Sequence, residues 1–278
     1  MSRALVIEGG GSKTAYAHGV MCEFEAAGYL PWKAVYGNSL GGALAAWHGA
    51  GQARYSVPTW DSMRDPRYLA YRRILIGKPP IDQDRFVDIL YIKERPLDLA
   101  ALAQAKHRIH VVVSDIESGQ PLYPDIRKDE PLQWLKATMR LPLGSNGPVE
   151  VHGRKYLDGG CLDPIPIQKA IDDGFDDITL ILNQPPGSVR REVGLLLERA
   201  VRRYPALEVG LRNHAGLKAG AWQLATHPPK GVKVHIIHPA APTGVSRLSR
   251  DLKKIHATIA LGRADGRSFL SRKKRRFV

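Results

Sequence analysis

Cysteine is scarce: Cys22 and Cys161 are the only two in 278 residues. They supply no disulfide framework, so a reducing cytoplasm is the expected compartment, and each reads as a small buried apolar side chain. Long hydrophobic runs are missing as well. No stretch of about eighteen apolar residues occurs, and no transmembrane helix is expected. The start, Met1 to Ile7, turns into glycines too soon for a signal peptide. None of the ten histidines falls in H-E-x-x-H or clustered Cys/His spacing, so a metal site is not expected; no organic cofactor is expected either. Acidic charge is short in one region. From Pro185 to Val278, 20 Lys and Arg face 5 Asp and Glu, whereas residues 1–184 carry 21 against 22. The whole net charge of +14 therefore lies in the last third, which points to an anionic partner such as membrane headgroups or nucleic acid. With no RNA-binding aromatic signature and no zinc-finger spacing, nucleic acid is not an expected partner. The expected one is an anionic membrane surface, held peripherally from the cytoplasmic side.

What is present suits one large globular domain: 44% of residues are hydrophobic and 24% charged. Buried strands are expected at Ala4–Ile7, from Val35, at Arg108–Ser114, Ile178–Leu182 and Val232–His238. Gln120–Tyr123 can pair with the third of these, and Val149–Leu157 reads as a hairpin around Gly153. Helices are expected over Ala15–Ala27, from Ala43, Ile81–Leu90 with Asp82 near its cap, Leu132–Met139, Pro164–Asp173, Glu192–Tyr204, Leu207–Thr226 and Arg247–Leu261. Tyr55–Pro80 has no period and reads as an excursion over one end of the sheet. Alternating strands and helices define an α/β protein with a largely parallel central sheet. The organisation expected is a core over 1–184, a basic extension of the same domain over 185–268, and a basic tail over 269–278. In that tail Arg272 to Arg276 would meet a membrane, with Phe269, Leu270 and Phe277 able to insert.

Three short motifs carry chemistry. Gly37-Asn38-Ser39-Leu40-Gly41 is a G-x-S-x-G between a strand and a helix. A serine on such a corner projects its hydroxyl outward, and the glycines let the chain bend and substrate approach. Gly9-Gly10-Gly11, after the first strand, can aim successive N–H groups at one anion. Neither the dinucleotide fingerprint nor the P-loop pattern is met there, which leaves an oxyanion site as the sharper reading. Asp158-Gly159-Gly160 ends the hairpin.

In this order the three motifs resemble the patatin-like phospholipases, over about Ala4 to Leu182. The resemblance implies a three-layer patatin-like fold, Ser39 as nucleophile, Asp158 as proton acceptor, and an oxyanion hole at Gly9, Gly10 and Gly11. Gly37 and Gly41 would shape the nucleophile turn, and Gly159 and Gly160 complete the Asp-Gly-Gly motif. The implied substrate is a lipid ester. Thr243-Gly244-Val245-Ser246-Arg247 is similar to a late segment of one bacterial branch. Two positions depart from the family's usual residues: Thr14 in place of glycine, and Asp163 in place of asparagine. Three other readings stand beside this one. They are an esterase whose triad adds one of His214, His227, His235, His238 or His256, a lipid acyltransferase, and a non-catalytic protein that binds an anionic surface.

Overall fold

The computed structural model describes residues 1–185, 188 and 195–274. Its centre is β1 (Arg3–Ile7), whose residues from Ala4 to Ile7 are apolar and buried on both faces. It pairs in parallel with β2 (Ala34–Asn38) on one side and β7 (Asp177–Ile181) on the other. β2 continues in parallel to β3 (Arg108–Asp115), and β7 to β8 (Lys233–Ile237). The far edge turns antiparallel. β4 (Pro121–Leu122) and β6 (Arg154–Asp158) both pair with β3, and β5 (Val149–Val151) closes the hairpin with β6. That hairpin turns at His152 and Gly153, both at positive φ, as the glycine in the sequence indicates.

Alternation along β1 divides the core. Leu5 and Ile7 face one side with Val35, Val111 and Val113; Ala4 and Val6 face the other with Ala34, Ile178 and Leu180. The first side is covered by α1 (Ala15–Ala26) and α2 (Leu40–Gly49). Between α2 and β3 run α3 (Gln83–Val87), which continues as a π-helical segment over Asp88–Glu94, and α4 (Leu99–Ala103). Asp82 and Asp98 cap these two helices through the amides of Arg85 and Ala101. α5 (Pro131–Thr138) packs on β3 and the hairpin. The other side carries α6 (Ile167–Asp172) and α9 (His214–Thr226). α7 (Leu195–Arg203) and α8 (Glu208–Arg212) lead into α9.

Two expectations are corrected, and a third is described only in part. The helix expected over Leu207–Thr226 is broken at Asn213, whose side chain lies against Gly216, a position where a Cβ would collide with it. The helix expected over Glu192–Tyr204 is described only from Leu195; residues 192–194 lie outside the described residues. The last helix, α10 (Leu252–Lys274), starts later than Arg247 and runs into the expected tail. Phe269 is 5% exposed and packs against Phe24 and Tyr29, so it is core and cannot insert elsewhere. Arg275, Arg276 and Phe277 lie outside the described residues. α10 lies closely on α1. Gly19 sits against Ile259, and Gly262 against the Tyr16 carbonyl, with no room for a methyl group at either. Tyr16 also donates to Asp265 at 2.6 Å.

Candidate active site

The C-terminal ends of β1, β2 and β6 bring the three motifs together. Ser39 lies between β2 and α2 with φ 53° and ψ −130°, a backbone region rarely occupied by a side-chain-bearing residue, at a cost of about 1–3 kcal/mol. The turn fits because Gly37 and Gly41 leave backbone against backbone. A Cβ on Gly41 would come within 2.8 Å of the Ile7 and Glu8 carbonyls. Its own amide is held: Ser39 N–H donates to Thr138 Oγ1 at 3.0 Å, and that hydroxyl donates to the Val112 carbonyl at 2.6 Å. Thr138 ends α5, is fully buried and belongs to none of the three motifs. The Ser39 side chain remains partly exposed.

The Ser39 side chain neighbours the Asp158 carboxylate and favours its ionised form. Asp158 is buried where β6 ends, and Gly160 N–H donates to its Oδ1 at 2.8 Å. Burial pushes the Asp158 carboxyl up to about 6; Ser39, the hydrogen bond from Gly160 and the nearby Arg247 charge pull the other way. Gly159 has Val112 directly behind it and Gly160 has Asn38 beside it, so both need to be small.

The glycine loop borders the same point. A Cβ on Gly9 would lie 3.0 Å from Ser39 Cβ. Gly10 and Gly11, at φ 156° and 56°, adopt backbone that glycine tolerates best. Ser12 N–H donates to the Arg247 carbonyl at 2.8 Å and Ser12 Oγ to the Ser249 carbonyl at 2.9 Å. Among the described residues no hydrogen bond engages the Gly10 and Gly11 amides, and both residues are partly exposed. Behind the loop, buried Glu8 pairs with Lys218 of α9 and accepts from Asn183 N–H at 2.7 Å, while Asn183 Nδ2 donates back to the Glu8 carbonyl at 2.7 Å.

Thr14 and Asp163 both have structural partners. Thr14 Oγ1 donates to the Gly11 carbonyl at 2.7 Å and closes the loop. Asp163 accepts from the Tyr123 hydroxyl at 2.7 Å, so it faces away from Asp158 towards the antiparallel edge. Of the histidines considered for a triad, His235 faces Asp177, His256 faces Asp61, His227 meets Thr226 and His238 meets the Pro239 carbonyl. Among the described residues no group of three His, Cys, Asp or Glu is placed to hold a metal.

A cavity of about 20 Å³, room for one water, adjoins the site on the α2 side. Leu40, Ala43, Leu44 and Trp47 form one wall; Phe86, Leu90 and Tyr91 form the other; Thr14 and His18 close the end. Trp47 stacks on Tyr91 at 4.8 Å, and Trp60 donates to His18 Nδ1 at 2.6 Å. Most of these residues fall outside the motifs, since apolar side chains on α2 read simply as core. Thr138, Asn183 and Lys218 were equally invisible in the sequence, because each acts through a contact with residues far along the chain.

The site defines a class: a strained serine, a buried aspartate and an open pair of glycine amides at one end of a mostly parallel sheet. The profile for patatin-like phospholipase matches residues 5–171, and the chain belongs to that family, whose members are lipid acyl hydrolases. A second profile, described as a domain of unknown function (DUF6363), matches residues 219–277, which include the later part of α9, β8 and α10. The chain is 25% identical to the uncharacterized protein YjjU of Escherichia coli, over 96% of this chain and 77% of that one. Among solved structures it is similar to VipD from Legionella pneumophila, with TM-score 0.52 and 13% identity, over 97% of this chain and 67% of that one. That likeness is one of fold.

Proposed function

We propose that the protein is a serine acyl hydrolase cleaving carboxylic ester bonds of lipids, of phospholipase A or lysophospholipase type. The observation that carries this reading is the placement of the partly exposed Ser39 beside the buried Asp158 carboxylate, which burial pushes up to about 6. An unperturbed aspartate, near ~3.9, is too weak a base for a serine; one raised towards neutrality is better matched while still ionised at pH 7.

Ser39 Oγ attacks the ester carbonyl carbon as its proton passes to Asp158. The tetrahedral oxyanion is stabilised by the Gly10 and Gly11 amides. The C–O bond to the alcohol then breaks, and the alcohol leaves with the proton from Asp158. Water attacks the acyl-serine, gives its proton to Asp158, and the acid leaves as Ser39 recovers its hydrogen. The apolar cavity beside Leu40 is where the acyl chain would start, once its side chains part. The basic surface beyond Pro185 favours meeting the substrate at an anionic, cytoplasmic membrane face. Among the described residues no helix is long and apolar enough to cross a membrane.

A fluorophosphonate probe should label Ser39 alone, and Ser39→Ala should abolish both labelling and hydrolysis across a panel of phospholipids, lysophospholipids and short esters, by at least about a thousandfold. Labelling of the Ser39→Ala protein, or its retained activity, would remove the assignment. Alanine at His227, His235, His238 or His256 should leave activity largely intact, since the contacts of these side chains lead elsewhere.

A further inference from the structure

The excursion between α2 and α3 ends in a loop, residues 70–80, built inside out. Its neck is closed by the Leu69–Ile81 bridge and by Ala70 N–H donating to the Pro80 carbonyl at 3.0 Å. Arg73 spans the interior, donating to the Pro79 carbonyl at 2.9 Å and pairing with Asp82 at 2.9 Å. Lys78 N–H donates to the Arg73 carbonyl at 3.0 Å, and Gly77, at φ 70°, ends the turn. The polar contacts are thus spent within the loop, while Ile74, Leu75 and Ile76 are 57%, 87% and 68% exposed. On a 3-10 turn three consecutive side chains point about 120° apart. The tip is therefore apolar all round, whereas a protein groove would be met by one face.

We propose that Ile74, Leu75 and Ile76 insert into the interfacial layer of an anionic lipid bilayer, with Arg72 and Lys78 at the level of the headgroups. Both cations are exposed and neither forms an ion pair among the described residues. A third, Arg85, is exposed just beyond the neck. Aliphatic tips flanked by cations suit the boundary between acyl chains and anionic headgroups. The neck is fixed to the walls of the site. Ile81 N–H donates to the Gly144 carbonyl at 3.2 Å, and Tyr68 packs edge-on against Phe86, which lines the cavity beside Ser39. Insertion would therefore bring the cavity to the lipid. The inserting role expected of Phe269, which is buried, passes here to this loop.

The purpose of the loop rests on the lipid-ester reading, but its binding is measured apart from it, on the full-length Ser39→Ala protein. Cys22 and Cys161 are buried, so a solvatochromic dye can be attached selectively at Leu75→Cys. Its emission should shift to the blue with vesicles of phosphatidylglycerol and phosphatidylcholine, and less with phosphatidylcholine alone. In co-sedimentation, Leu75→Ser with Ile76→Ser should weaken binding to the mixed vesicles at least about tenfold, as expected when two aliphatic groups lose their burial. Arg72→Gln with Lys78→Gln should weaken it only on anionic vesicles and at low salt. On the wild-type background the serine pair should leave hydrolysis of a short soluble ester and the melting temperature unchanged. Equal vesicle binding by the serine pair, or a dye blind to vesicles, would overturn the proposal. So would a concentration-dependent dimer abolished by that pair, which would assign the tip to a second copy of the chain. Loss of vesicle binding in a protein without any esterase activity would sustain the loop and sink the hydrolase.

Discussion

Asp158 makes its chemistry and its stability opposed. Burial raises its folded-state pKa from 3.8 to about 6. Between those values the folded protein binds a proton that the unfolded chain has lost, so stability falls as pH rises through that window. The cost is fully present above pH 6, at up to about 3 kcal/mol for a shift of this size. Asp158→Asn should therefore be inactive yet melt at a higher temperature at pH 7, with the difference shrinking as pH falls below 6. A variant that melts lower at every pH would show that the carboxylate is needed for folding instead. Since only the ionised form can take a proton, kcat/KM of the wild type should rise with pH along a limb centred near 6; a limb near 4 would mean that burial does not govern this group. Thr138 acts on the other partner. Thr138→Val leaves the Ser39 amide and the Val112 carbonyl unpaired, so a loss of about 1–3 kcal/mol is expected by denaturant unfolding, together with slower turnover. Thr138→Ser should restore both.

Elements built on periodic or β-branched runs were legible: the five central strands and the hairpin lie within a residue or two of where the sequence puts them. Legibility failed where tertiary contact overrides local signals. The run of cations after Ser271 reads as a solvated tail, yet Ile255, Ile259, Gly262, Gly266 and Phe269 recur at spacings of four and three, the apolar stripe of a packed helix. Two glycines in that stripe hid it from a count of hydrophobic residues. The three motifs were readable because close backbone approach demands glycine at Gly9, Gly37 and Gly159. Their roles in catalysis were carried by resemblance. The supports behind them were not readable: Glu8 precedes the glycine loop in sequence, but its partners Asn183 and Lys218 come from distant elements. Lys218→Met would leave the Glu8 carboxylate buried without a cation. It should destabilise the protein by up to roughly 3 kcal/mol and lower turnover through the loop. Adding Glu8→Gln should recover part of the stability; no recovery would mean that Lys218 acts through its own packing instead.

At the scale of the molecule, the site is held from both ends of the chain. The segment bracing Gly11 and Ser12 comes from Arg247 and Ser249, and Ser12 lies 237 positions from Ser249. β8 extends the sheet beyond β7, and α10 covers α1, the helix that follows the glycine loop. Protein biosynthesis runs in one direction, so Ser39 leaves the ribosome long before the residues that brace the glycine loop. If the proposed hydrolase reading holds, a nascent chain stalled before Arg247 should contain Ser39, Asp158 and every glycine of the three motifs and still be inert, a built-in delay that lasts until α10 has emerged. Fluorophosphonate labelling of stalled chains of increasing length would date the onset of reactivity: it should appear only once α10 has emerged, and labelling of chains ending before Arg247 would show that the delay does not exist.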